Sequence, residues 1–324
     1  MGGGGTEAAV KVEIFDVNHG QCAVATSPNG QRIMADCGDR LSDGRWWAPS
    51  MHYCGQSVAL LALMNLDEDH LSNFPLLTKY ISVGQILTNH TIGARELQLL
   101  KPQGMGRGTG AVYDWMANPF RGLPAPLPDF GPVRVWWYYN HFIQGVTEDT
   151  NDLSLVLFIQ YGRFKIVFSG DMEERGWRRL LLLCPQLRLD LMGTNVFVAS
   201  HHGRESGCSA ELFEFFRPEL VIISDAERQY GTQETDDWYR QRCLGIPVIG
   251  TSDRRYVMTT RSDGSMQIDV APDGRWTIRP VPVPDWELSP PRQGFAVATY
   301  PSERFIRRSS RTISPDRALA IGHA

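Results

Sequence analysis

The stretch that decides the fold is Val58-Ala59-Leu60-Leu61-Ala62-Leu63-Met64-Asn65-Leu66-Asp67-Glu68-Asp69-His70. Residues 58–64 form a short, unbroken apolar run of the kind that makes a buried strand. Directly after it come three carboxylates and an imidazole in consecutive positions, where a loop can converge some of them on one ion. The same residues also suit an acidic helix N-terminus with aspartate caps, and residue type alone leaves both readings open.

Working outward, the same arrangement recurs at three other places. Asp36-Cys37-Gly38-Asp39, Ser169-Gly170-Asp171 and Ser200-His201-His202-Gly203 each follow a strand-like run. Singly, a Gly-Asp pair is an ordinary turn and a histidine pair an ordinary surface loop. Two imidazoles beside a glycine at a strand end are equally what a metal ligand with a supporting neighbour looks like. Four such clusters, each past a strand, predict one edge of a sheet sandwich where loops meet.

The rest of the chain supplies the strands. Residues 11–17 and 22–26, then Pro28-Asn29-Gly30 and residues 32–35, predict an opening β-hairpin. Residues 74–81 carry helical spacing. Residues 153–160 and 164–169 flank Tyr161-Gly162-Arg163 as a second hairpin. Helical spacing over 173–183, 210–216 and 235–244 alternates with strand-like runs at 196–199, 220–224, 247–250 and 256–260, and 267–270 reads as the last strand. This alternation after a β-rich opening predicts a layered α/β fold. From Pro102 to Pro132 there are six glycines and six prolines in 31 residues, which predicts an irregular insertion, about 102–145, without long helices or central strands. Its aromatics, Tyr113, Trp115 and Phe130 among them, suit either a substrate lid or a loop pinned to the body. Residues 1–10 read as a disordered start, 11–275 as one domain, and 276–324, with seven prolines from Pro280 onward, as a peripheral extension or tail.

Composition narrows the class. The 324 residues are 42% hydrophobic and 21% charged, ordinary for a folded soluble chain, and the net charge of −4 gives no overall positive field for nucleic acid. No run approaches the ~20 apolar residues of a membrane helix, and no secretory signal is evident, so no membrane is expected as a partner. Six scattered cysteines without a CxxC pair read as buried reduced thiols, which points to the cytoplasm.

The order Asp16-Val17-Asn18-His19-Gly20-Gln21-Cys22, Asp36-Cys37-Gly38, Asp67-Glu68-Asp69-His70, Asn151-Asp152-Leu153-Ser154-Leu155-Val156, Ser169-Gly170-Asp171, His201-His202-Gly203 resembles the metallo-β-lactamase fold superfamily, and within it the ComEC-like branch related to competence DNA uptake. The match runs over roughly residues 11–270. The resemblance implies an αββα sandwich with a centre of one or two divalent ions, Zn²⁺ or Mn²⁺, and hydrolysis by a metal-held hydroxide. Carried over residue by residue, it implies Asp69 and His70 as ligands of one metal position, Asp171 as the bridging carboxylate and His201 as the strand-end histidine. Asp67 is implied as a ligand of the other metal position, beside Asn65. Asp69 and His202 take the catalytic roles, His202 protonating a leaving oxygen or binding a phosphate oxygen, or else supporting a metal ligand from behind. Asn65 stands, like Asp67, where the wider superfamily has histidine; its neutral amide is a weaker ligand for zinc but acceptable to manganese or magnesium, which puts the other metal position in doubt. Asn151 falls near that position, Asp16 and Asp36 orient ligands and loops, and His19 replaces a frequent glycine beside the site.

For function the resemblance implies phosphodiester cleavage, with nucleic acid as the leading substrate. Six arginines between Arg292 and Arg317, and Arg204 after the histidine pair, are the local basic features, though a solvated tail accounts equally for the former. The segment 227–233 resembles a histidine-containing stretch of the same branch but holds no histidine. Three readings remain: a metal-dependent phosphodiesterase or nuclease; a metallohydrolase of a small molecule, cyclic nucleotide or peptide-like bond; and a metal-impaired regulatory or binding module.

Overall fold

The computed structural model describes residues 9–40, 47–118, 126–228, 231–281 and 311–312. Most of the predicted N-terminal start, part of the insertion and nearly all of the tail, with five of the six arginines between Arg292 and Arg317, lie outside the described residues. The strands are β1 (Val10–Ile14), β2 (Ala23–Thr26), β3 (Arg32–Ala35), β4 (Ser57–Ala62), β5 (Ser82–Leu87), β6 (Val133–Tyr138), β7 (Val156–Tyr161), β8 (Phe164–Phe168), β9 (Val196–Val198), β10 (Leu220–Ile223), β11 (Ile246–Pro247), β12 (Arg254–Arg255), β13 (Val257–Thr259), β14 (Met266–Val270), β15 (Trp276–Pro280) and β16 (Arg311–Thr312). One sheet runs β15-β14-β1-β2-β3-β4-β5-β16 and a second β13-β10-β9-β8-β7-β6, with β11 and β12 paired apart.

The fold is an αββα sandwich, and its layering follows from strand composition. In β4, Leu60 and Ala62 face the layer between the sheets, where they meet Leu157, Ile159, Ile166 and Phe168 of the second sheet. Leu61 between them faces outward, onto Leu77, Leu97 and Val112 of the helices Phe74–Tyr80, Ala94–Leu100 and Arg107–Ala117. The second sheet repeats this: Phe158, Val167, Phe197 and Val221 pack outward on Trp177, Leu180 and Leu191. Strands covered on both faces must be apolar throughout, which is why they read as continuous runs rather than alternations.

Both predicted hairpins form, the second with a two-residue Gly162-Arg163 turn whose glycine has φ +56°. Residues 210–216 hold only a single 3₁₀ turn, Leu212–Glu214, and the helix expected over 235–244 shortens to Asp236–Arg240. The insertion departs most. Despite its glycines it contains the eleven-residue helix Arg107–Ala117, and beyond Pro132 it supplies β6, the edge strand of the second sheet. Within the helix Gly108 serves close packing instead of breaking it: a Cβ there would lie 2.1 Å from the Leu71 carbonyl oxygen. At the other end, β15 pairs with β14 along its whole length, so the ladder continues past the boundary read at residue 275. All six cysteines are free; Cys22, Cys37 and Cys243 are buried, whereas Cys54 is exposed. Among the described residues no helix is long and apolar enough to cross a membrane.

Candidate metal centre

Strands β3, β4, β8, β9 and β10 reach the same edge of the sandwich with their C-terminal ends, because β3 and β4 run parallel, as do β8, β9 and β10. The loops that follow them carry Asp36, residues 65–70, Asp171, the histidine pair and Ser224. Backbone bonds tie the loops together: Asp36 donates to the Ala62 carbonyl (2.8 Å), Cys37 to that of His70 (2.9 Å) and His201 to that of Gly170 (3.0 Å). Close contact with Asp69 requires glycine at two further positions. A Cβ on Gly20 or Gly38 would stand 2.4 or 2.5 Å from the Asp69 carbonyl oxygen.

At this edge Asp69, His70, Asp171 and His202 converge, one ligand atom from each lying within 4.8 Å of all the others. His70 Nε2 is 2.9 Å from Asp171 Oδ1, and His202 Nε2 is 3.5 Å from that oxygen and 3.1 Å from Asp69 Oδ2. Ligands of a tetrahedral ion at ~2.1 Å are roughly 3.4 Å apart, so the spacing suits a single ion. His70 Nε2, His202 Nε2 and Asp171 Oδ1 are buried and make no aligned hydrogen bond. Buried polar atoms are normally satisfied, so three without an aligned hydrogen bond converging on one point form a group that could hold a cation. Two imidazoles and two carboxylates fit a divalent transition metal.

The other ring nitrogens are held. His70 Nδ1 pairs with Asp36 Oδ2 at 2.7 Å, and Asp36 Oδ1 in turn accepts the Met64 N–H at 2.6 Å. His202 Nδ1 donates to the Ser224 carbonyl at 2.7 Å. Each imidazole thus has its Nε2 pointed inward, the arrangement by which outer partners orient metal-binding histidines. Charge follows the geometry. Burial opposes the charged form of His202, but Asp171 and Asp69 outweigh it and raise the imidazole to about 10. Burial alone would raise Asp171, yet His70 and His202 hold it well below the usual carboxylate range. Asp36 is pushed up by burial, with His70 as the opposing influence.

The cluster contains His202, whereas the resemblance implied His201. Both residues adopt left-handed backbone, φ +52° and +49°. These consecutive left-handed residues turn the imidazoles apart: the His202 side chain is 1% exposed, while His201 Nδ1 faces Ser206 Oγ (2.8 Å) and Glu173 Oε1 (3.1 Å). Asp67 also lies outside the cluster, its carboxylate taken by Lys101 and the Thr150 hydroxyl. Asn65 Nδ2 donates to Asn151 Oδ1 at 2.9 Å, and Asn151 Nδ2 to Glu173 Oε1 at 3.3 Å. Asp16 pairs with Arg40 and accepts the Asn18 N–H, shaping the loop that carries His19. His19 itself sits at the rim, its ring 4.4 Å from that of His202 and its Nε2 3.4 Å from Asp69 Oδ2. Burial and the neighbouring His202 lower it to about 4.

Glu68, the third carboxylate of the opening stretch, stays outside the cluster. Glu68 accepts the N–H groups of Gly108 and Thr109 at 2.8 and 3.0 Å, anchoring the N-terminus of the helix Arg107–Ala117 to the ligand-bearing turn. Lys101, Thr150, Glu173 and the Ser224 carbonyl are likewise distant in sequence from the residues they hold, and nothing in their local pattern marks them. A cavity of about 520 Å³, lined by His19, Asp67, Asp69, Lys101, Met105 and Thr109 among others, opens onto the cluster.

No family profile matches the chain. ComE operon protein 3 of Bacillus subtilis (strain 168) is 21% identical over 239 residues, 66% of this chain and 28% of that protein, so the chain spans under a third of that relative's length. Among solved structures, CmlA, a diiron β-hydroxylase from Streptomyces venezuelae, is 10% identical with a TM-score of 0.49 over 82% of this chain and 55% of CmlA. A protein of Parabacteroides distasonis described as a metal-dependent hydrolase is also 10% identical, with a TM-score of 0.40 over 76% of this chain and 91% of its own.

Proposed function

We propose that the protein is a metal-dependent hydrolase of phosphodiester bonds. The observation that carries this reading is the convergence of Asp69, His70, Asp171 and His202 on one point, with three buried atoms unsatisfied. The similarity to ComE operon protein 3 supports the same direction. A divalent ion bound there would supply a water acidified from a pKa of about 15.7 toward ~7 and would polarise a phosphoryl oxygen. Asp69, His70, Asp171 and His202 would hold it, with Asp36 and the Ser224 carbonyl fixing the imidazoles. In this reading His202 is a ligand and not a proton donor, because both of its nitrogens are committed.

The anionic substrate needs positive charge beside the ligands. Arg204 follows the histidine turn, and its Nη2 is 3.3 Å from His19 Nε2 at the rim, while its Nε is buried without a hydrogen-bond partner. It is placed to grip a phosphate oxygen. A nucleic-acid strand is one substrate class. A second, a small phosphodiester such as a cyclic nucleotide, is favoured by the cavity wall, where Asp39, Asp67 and Glu68 face Lys101 and His19 and would repel an extended polyanion.

The test is hydrolysis of bis-p-nitrophenyl phosphate with added Mn²⁺ or Zn²⁺ by the wild type and Asp171→Ala, followed by single-stranded DNA and a cyclic nucleotide as competitors. Metal-dependent turnover that disappears in Asp171→Ala supports the proposal, and the stronger competitor selects the substrate class. Bound metal without turnover of any phosphodiester rejects it.

A further inference from the structure

We infer that this centre is built for one ion, and that the Lys101 ammonium stands in the place of a second cation; this rests on the metal-dependent reading above. The resemblance implies two metal positions, with Asn65 and Asp67 in the second. In the structure Asn65 and one oxygen of the Asp67 carboxylate, Oδ1, are engaged by neighbouring groups of the chain. Asn65 is buried; its Oδ1 accepts the Asp67 N–H at 3.0 Å, and its Nδ2 turns donor protons toward Asn151. Asn151 spends its own Nδ2 on Glu173, which also engages His201 Nδ1. The Asp67 carboxylate accepts from both Thr150 Oγ1 and Lys101 Nζ, and Lys101 Nζ also donates to Thr150 Oγ1 at 3.0 Å.

A divalent ion entering this flank would have to displace the ammonium, reverse the Asn65 amide and free His201 from Glu173. Among the described residues, no side-chain atom of Asn65, Asp67, Lys101, Thr150, Asn151, Glu173 or His201 is fully buried without a hydrogen-bond partner, in contrast to three such atoms in the adjacent cluster. The positive charge that a second ion would bring is already present. Lys101 follows the helix Ala94–Leu100, its side chain is only 21% exposed, and it lines the same cavity as Asp69 and His19. Of the three ammonium donors, Asp67 and Thr150 take two, which leaves the third for an anionic oxygen in that cavity.

The experiment loads the full chain with excess Mn²⁺, removes free metal by gel filtration, and measures ions per chain by elemental analysis alongside the paramagnetic resonance spectrum. Wild type is compared with the triple variant Asn65→His, Asp67→His, Lys101→Ala and with Asp171→Ala. The expected result is one ion per wild-type chain with the spectrum of an isolated ion, and a gain of a second, exchange-coupled ion in the triple variant. Two ions with a coupled spectrum in the wild type overturn the inference, whether or not the triple variant folds. A triple variant with wild-type circular dichroism that still takes one ion also overturns it. Wild type holding no more metal than Asp171→Ala overturns the metal centre itself, a different outcome from failure of the one-ion claim.

Discussion

Two flanks of one loop edge, built from interleaved residues, behave in opposite ways. Asp69, His70 and His202 turn inward with Asp171 and leave buried donor and acceptor atoms unsatisfied. Asn65, Asp67 and His201, one to four residues away in sequence, join a network with Asn151, Glu173, Thr150 and Lys101 through Asn65 Oδ1 and Nδ2, Asp67 Oδ1 and His201 Nδ1. The difference teaches that a polar residue at a strand end is not itself a ligand signal. What distinguishes the first flank is that its atoms are buried and convergent, paired by charge with one another at 2.9 to 3.5 Å but without aligned hydrogen bonds, an arrangement that could hold a cation.

The most severe way to break this comparison is to remove a ligand from the first flank. Asp171→Ala is expected to lower metal affinity by well over ~100-fold, more than the loss of an outer partner costs, and to bring hydrolysis to background. Chelator-competition titration checks it; unchanged affinity would place the metal elsewhere. Next comes Asp36→Asn, which keeps a residue tolerant of the φ of +59° found there but weakens the hold on His70 Nδ1. A loss of ~10- to 100-fold in metal affinity is expected, with a folded circular dichroism spectrum.

Acidity sharpens the comparison further. In the metal-free protein His202 is raised to about 10, so the stability its proton contributes is complete below the ordinary imidazole pKa of about 6.5 and is lost as pH rises through about 10. Metal must displace that proton, so its apparent affinity should rise roughly tenfold per pH unit for each proton released between pH 7 and 10. A pH-independent affinity would contradict the assignment of His202. The smallest effect is expected on the second flank, where His201→Ala should change metal affinity by less than about threefold, under ~0.7 kcal/mol. A collapse of binding in His201→Ala with retention in His202→Ala would invert the two flanks.

Much of the architecture was legible in the sequence. Continuous apolar runs such as 58–64 and 196–199 announce strands covered on both faces, and each polar cluster following such a run had to emerge at a strand end. The Gly/Pro-rich insertion misled because glycine density signals broken structure unless something packs closely against it, and the proximity of Gly108 to Leu71 is a property of the folded chain. The order of motifs pointed to Asp69, His70 and Asp171, and the fold brings these three together. The choice between His201 and His202 was not, because it depends on two left-handed backbone angles that residue type does not dictate.

The sequence by itself therefore determined the layered α/β sandwich and the set of loops that carry the chemistry, since hydrophobic periodicity and turn residues act locally along the chain. Only the tertiary structure decided which side chains of that set meet. Lys101 reaches Asp67, Asn151 reaches Asn65, and the Ser224 carbonyl reaches His202 across long stretches of chain, and whether a polar atom is satisfied by its neighbours or left for a cation depends on those distances, which no local pattern encodes.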